Sequence, residues 1–169
     1  MSVHFSSCRT IVLGLQQDRS WIIVFNQQKF IRLPTMNECP SIARDLHRKS
    51  PTVDVVGAID GTFIKIRRDK YHSNHYYCRK MVFAMHMLAM CDWSGCFTYV
   101  QVGHPGNTHG STAFLRSQLH CDIVEGRFPL TVNGYKLLTD SAFPQTTFII
   151  KTNSTEAHRN RIFSHFVNI

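Results

Sequence analysis

The chain has 169 residues, 43% of them hydrophobic. That suits one domain with a sizeable core and excludes a wholly disordered polypeptide. Nineteen Lys and Arg against eleven Asp and Glu leave a net charge of +8, which points toward an anionic partner, nucleic acid first, although a basic soluble surface would read the same way.

Residues 1–30 show no clear period. Their apolar runs, Ile11–Leu15 and Trp21–Phe25, fall well short of the ~20 residues a membrane span requires, so a soluble protein is expected. Six cysteines, at 8, 39, 78, 91, 96 and 121, form no Cys-x-x-Cys pair. With no secretory leader visible they read as reduced thiols, and the Asn153-Ser154-Thr155 sequon carries little weight.

From Thr35 the spacing of Ile42, Ala43 and Leu46 predicts a helix, opened by Thr35 or Asn37 and closed before Pro51. Three strands follow. "VVGAIDGTFIKI" (Val55–Ile66) and "MVFAMHMLAMC" (Met81–Cys91) come first, and the turn "DWSG" then leads into Phe97–Val102, an antiparallel meander. After "GHPGNTHG" one helical stretch is predicted across Ala113, Phe114, Ser117 and Leu119. Strands over "YKLLTD", ending at Asp140, and "TFIIKT" (Thr147–Thr152) complete a mixed α/β sheet. Residues 1–30 remain unassigned, and residues 31–169 form the domain.

Asp60 is out of place in its apolar strand. A carboxylate there loses hydration, so it is either a paired structural group or a metal ligand on a rigid strand. Asp140 is the second unusual acid, at a strand end where ligand groups collect. The two are eighty positions apart, yet their strands can be neighbours in a mixed sheet. Two juxtaposed carboxylates repel unless a cation lies between them. Mg²⁺ or Mn²⁺ suits such oxygens and would promote phosphodiester cleavage.

Four blocks, "GAIDGTFIKI", "YYCRKMVFAMHMLAMCD", "HPGNTHGSTAFLRSQL" and "LLTDSAFP", occur in an order that resembles the PIF/Harbinger transposases and the nucleases derived from them. The resemblance covers roughly Phe30 to Thr152. It implies an RNase H-like fold with flanking helices, in which acids bind two divalent metal ions that cut DNA. Asp60 matches its first acid and Asp140 the acid of its Gly-Asp-Ser-Gly-Tyr-Pro-like block. It further implies a separate Myb-like DNA-binding partner and a place in the nucleus, with a cytoplasmic share allowed.

Three positions depart from that pattern. His109-Gly110 stands where a His-Asp pair is expected. The final Glu, on a helix after the last strand, would lie past Ile169, and Met81 replaces a Gly after Arg79-Lys80. The expectation is a Harbinger-type nuclease domain lacking its C-terminal catalytic helix, with impaired cleavage. The alternatives are an inactive DNA- or protein-binding module and a translated fragment of a mobile element.

Arg67, Arg68, Lys70, Arg79 and Lys80 interleave with Tyr71, Tyr76 and Tyr77, a mixture suited to a phosphate backbone and unstacked bases or to a plain solvated loop. Cys91, Cys96, His104 and His109 are spaced poorly for a zinc finger. His86 is expected to be a core histidine with a hydrogen-bond partner. The methionines at 81, 85, 87 and 90 read as core filling, and Asp92 as an acid turned to solvent.

Overall fold

The computed structural model describes residues 31–49, 54–67, 73–128, 130 and 133–151. The readings of residues 1–30, of Arg68, Lys70 and Tyr71, and of everything after Lys151 lie outside these. No helix among the described residues is long and apolar enough to cross a membrane.

Helix α1 (Cys39–Lys49) buries Ala43 and Leu46 of the predicted stripe together with Cys39, while Ile42 is half-buried. Its entry turn is built on Thr35. The Thr35 carbonyl accepts from the Glu38 and Cys39 N–H groups at 3.0 and 3.1 Å. The Glu38 carboxylate reaches back to the Thr35 N–H at 2.8 Å, one half of a capping box. Arg32 closes on Glu38 with two hydrogen bonds of 2.7 and 2.6 Å, and this contact holds the Glu38 carboxyl well below the usual range.

Strands β1 (Val55–Lys65), β2 (Ala84–Cys91), β3 (Phe97–Pro105), β4 (Lys136–Thr139) and β5 (Ile149–Lys151) form one sheet in the order β3-β2-β1-β4-β5. β1, β2 and β3 are an antiparallel meander, whereas β4 is parallel to β1 and β5 parallel to β4. This is an α/β RNase H-like fold with a mixed sheet. A register shift between Val55 and Gly57 turns successive residues, so Val56 and Ile59 share one face while Val55 and Ala58 share the other.

The first face packs Ile59, Leu88, Met90 and Leu137 against Phe114, Leu119 and Ile123. Those three side chains are fully buried, each contributing roughly 1.5–3 kcal/mol. They come from two short helices, α3 (Gly110–Leu115) and α4 (Gln118–Val124), after the single turn α2 (Ser73–Tyr76). The one helical stretch predicted here is therefore broken, and Ser117 is the cause. Its hydroxyl donates to the Phe114 carbonyl at 2.6 Å and accepts from the His120 N–H at 3.1 Å, so it ends one helix and caps the next.

The second predicted strand also starts later than expected. Tyr77 and Phe83 form an isolated antiparallel bridge. The Cys78 N–H donates to the Val82 carbonyl, and the Met81 N–H to the Cys78 carbonyl, each at 2.9 Å. The result is a hairpin with the loop Arg79-Lys80-Met81, and Met81 takes the left-handed position with φ 62°, where glycine is customary. Met81 is not core filling, since 72% of its surface is exposed. Left-handed backbone costs a non-glycine residue about 1–2 kcal/mol, partly offset by the extra chain entropy a glycine loses. Met81→Gly is therefore expected to raise stability by about 0.5–1 kcal/mol in denaturant unfolding. A loss of stability would show that the methionine side chain supports the loop.

Candidate metal and nucleic-acid site

Ala58 on β1 pairs with Leu138 on β4, and both belong to the second apolar cluster. Two positions further on come Asp60, within β1, and Asp140, one residue past the end of β4. Period-two alternation sets both on the Ala58–Leu138 face, on strands about 5 Å apart. β4 ends at Thr139, whereas β1 runs on to Lys65 beside β2, so the pair borders the notch where β1 outruns its parallel neighbour.

Asp60 is partly buried, and its Oδ1 accepts from the Gly61 N–H at 2.6 Å. Burial pushes its carboxyl up to about 6. The Gly61 hydrogen bond opposes that rise, the Asp140 charge adds to it, and Arg79 and Lys80 oppose it. Asp140 accepts from the Ala142 N–H at 3.0 Å, a local turn that anchors one oxygen. The two acids therefore feel one another, and a cation between them would relieve both the repulsion and the lost hydration. Two carboxylates and retained water fit one divalent cation. No cluster of three or more His, Cys, Asp or Glu that could hold a metal ion is found among the described residues.

Behind Asp60, on the opposite face, sits a group that sequence reasoning undervalued. His86 is opposite Phe63 on β1 and His104 on β3, and its ring meets Phe63 edge-on with centroids 5.4 Å apart. It is 2% exposed, as a core residue should be, but its Nδ1 has no hydrogen-bond partner. Burial first, then the nearby His104, Arg79 and His109, lower its pKa to about 4, so the ring is neutral near pH 7. A side chain on Gly61 would place its Cβ 2.6 Å from Nε2 and 2.8 Å from Cε1 of that ring. A glycine inside a strand, next to the odd acid, was the available signal of such close approach.

Residues 59–165 match the family model for DDE superfamily endonucleases. The chain belongs to that family. The match spans both Asp60 and Asp140, while comparison with curated proteins and with solved structures found no match.

In this DDE endonuclease domain the predicted basic residues divide. Arg79 and Lys80 lie over the Phe63 ring, at 6.0 and 5.9 Å from its centroid, and act on Asp60. Arg67 is exposed just beyond β1, and Arg68 and Lys70 lie outside the described residues. Asp92 serves the β2–β3 turn instead, its Oδ1 accepting from the Ser94 N–H, the Ser94 hydroxyl and the Cys96 N–H. Of the four residues with weak zinc-finger spacing, Cys91 is buried in the second cluster and His109 caps α3 through Ser111. His104 approaches Gln101 at 3.4 Å. Gly110, where the resemblance expects an acid, has the His86 Nε2 and Phe143 about its open side, each 4.0 Å from a notional Cβ.

Proposed function

We propose that this chain is a PIF/Harbinger-type DNA endonuclease domain that uses a divalent metal, and that its cleavage is impaired. The observation that carries the reading is the placement of Asp60 and Asp140 two positions beyond the Ala58–Leu138 register pair of adjacent parallel strands, within the matched family region. The four sequence blocks in family order support the Harbinger subtype.

Asp60 and Asp140 would hold one Mg²⁺ or Mn²⁺. When bound, such an ion supplies Lewis-acid polarisation of the phosphodiester and eases water ionisation. Asp60, with its carboxyl at about 6, is mostly ionised at pH 7.5, and the Gly61 N–H fixes one of its oxygens. Asp140 keeps its second oxygen available once the Ala142 N–H has taken the first. Arg79 and Lys80 offer positive charge beside Asp60 for the DNA phosphates. The domain would act in the nucleus, with sequence recognition supplied by a Myb-like partner.

A second reading, an inactive DNA-binding module, is favoured by Gly110, which brings no carboxylate where the resemblance expects one. Both readings are tested by cleavage of supercoiled plasmid with Mg²⁺ and with Mn²⁺, comparing the chain with Asp60→Ala. The expected outcome is little or no nicking by either. Robust nicking that disappears in Asp60→Ala would show the two-acid site to be sufficient. Duplex binding is expected to be weak, indifferent to sequence and steeply reduced by salt, because counterion release by the basic residues supplies it. A labelled duplex titrated at several salt concentrations measures this, and an affinity unchanged by salt would remove the electrostatic account.

A further inference from the structure

The hairpin tip that carries Arg79 and Lys80 combines features that a solvated loop does not need. Its base is held rigidly. The Ile66 N–H donates to the Phe83 carbonyl at 2.9 Å, and the Asn107 N–H to the His75 carbonyl at 3.1 Å. On the Gly106 side the backbone is so close that a Cβ there would lie 2.6 Å from the Tyr76 carbonyl oxygen and 2.5 Å from that of Ala84. Cys78 is buried. From this base Met81 projects with 72% of its surface exposed, on a left-handed backbone that disfavours any side chain. Strain of this kind persists only where the surrounding structure over-determines it, and it gathers at functional sites.

Met81 does not project alone. The Tyr77 hydroxyl donates to its sulfur at 3.7 Å, and Tyr77, tilted on Phe83 at 5.3 Å, is itself 40% exposed. The two thus form an apolar tip. Arg79 and Lys80 immediately precede Met81 in the loop, both over the Phe63 ring, with no salt bridge to either among the described residues, and the tip carries no acidic residue. An apolar wedge beside two cations on a held base suits the unstacking of a base step while neighbouring phosphates are gripped.

We propose that Met81, backed by Tyr77, is a wedge that inserts at a DNA base step whose flanking phosphates are held by Arg79 and Lys80. The inference rests on the nucleic-acid reading of this domain and adds to it a site and an action. The wedge opens the duplex next to Asp60 and Asp140, so the tip favours DNA that is already partly unstacked.

The test compares the full chain with Met81→Gly and Met81→Asn, both of which tolerate the left-handed backbone and so keep the loop. Each protein is titrated at low salt against a fully paired duplex and the same duplex carrying one central mismatch. A 2-aminopurine beside the mismatch site reports unstacking. Wild type is expected to prefer the mismatched duplex by roughly tenfold, since the mismatch removes part of the unstacking cost, and to raise 2-aminopurine fluorescence on the paired duplex. Both variants should bind the paired duplex about as well, with the preference and the fluorescence rise gone. Equal wild-type affinity for the two duplexes, with no fluorescence rise, would overturn the wedge while leaving duplex binding intact, and the tip would then suit an apolar protein partner. Failure of wild type to bind either duplex would overturn the wedge and the nucleic-acid reading together.

Discussion

Replacing Asp60 by Asn is expected to stabilise the protein at pH 7.5 by about 2–3 kcal/mol and to change it by less than about 1 kcal/mol at pH 4. The folded carboxyl titrates at about 6 against an ordinary 3.8, so the folded state holds its proton more tightly than the unfolded chain does. Its contribution is fully present below pH 3.8 and is lost as pH rises through 6, where an ionised, partly buried carboxylate faces Asp140. Asn keeps an oxygen for the Gly61 N–H and brings no charge. His86 runs the other way. Its pKa is lowered to about 4, so its contribution is present above 6.5 and is lost as pH falls toward 4, but it is common to both proteins and cancels in the comparison. Urea unfolding of wild type and Asp60→Asn at the two pH values measures the difference. A variant no more stable than wild type at pH 7.5 would mean that Asp60 is better solvated than its position implies. Added Mn²⁺ should narrow the gap by stabilising wild type alone, because only wild type has both carboxylates.

Gly61→Ala is expected to cost about 1–3 kcal/mol, although Gly→Ala within a strand ordinarily helps. The new methyl would lie 2.6 Å from the His86 Nε2. The ring is 2% exposed and packed edge-on against Phe63, so it has nowhere to turn, and the strand must shift instead. Because the Gly61 N–H fixes Asp60 at 2.6 Å, the same shift should weaken Mn²⁺ binding. His86→Ala removes the obstructing ring along with a buried nitrogen that has no partner, at the cost of a cavity. In the double variant the methyl occupies space the ring has left. A double-mutant cycle should therefore give a coupling energy of at least about 1 kcal/mol, with the double variant recovering Mn²⁺ affinity. Additive stabilities, within about 0.5 kcal/mol, would sink the idea that this contact seats Asp60.

The five strands were legible because their burial leaves apolar runs in the chain, from the long β1 and β2 to the short β4 and β5, and Asp60 was conspicuous because a charge interrupts one of them. The strand order and the four blocks, which resemble one family in sequence order, led to the mixed α/β sheet, and the family itself follows from residues 59–165. The boundaries were less legible. Nothing in the apolar pattern distinguishes Met81 from the strand after it, because the left-handed turn is imposed by the hairpin's hydrogen bonds. The break at Ser117 depends on a hydroxyl that finds the Phe114 carbonyl only once the chain has turned.

By itself the sequence determined most of the apolar stretches that had to be inside, Met81 excepted, and which two acids were anomalous, since both follow from local composition and the cost of dehydrating charge. Only the tertiary structure decided that β1 and β4 lie side by side in parallel register. That pairing brings residues eighty positions apart onto one face, and no local interaction specifies it. The same holds for the neutral His86 against Gly61. Hydrogen bonding and close packing are settled by neighbours that the folded chain alone supplies.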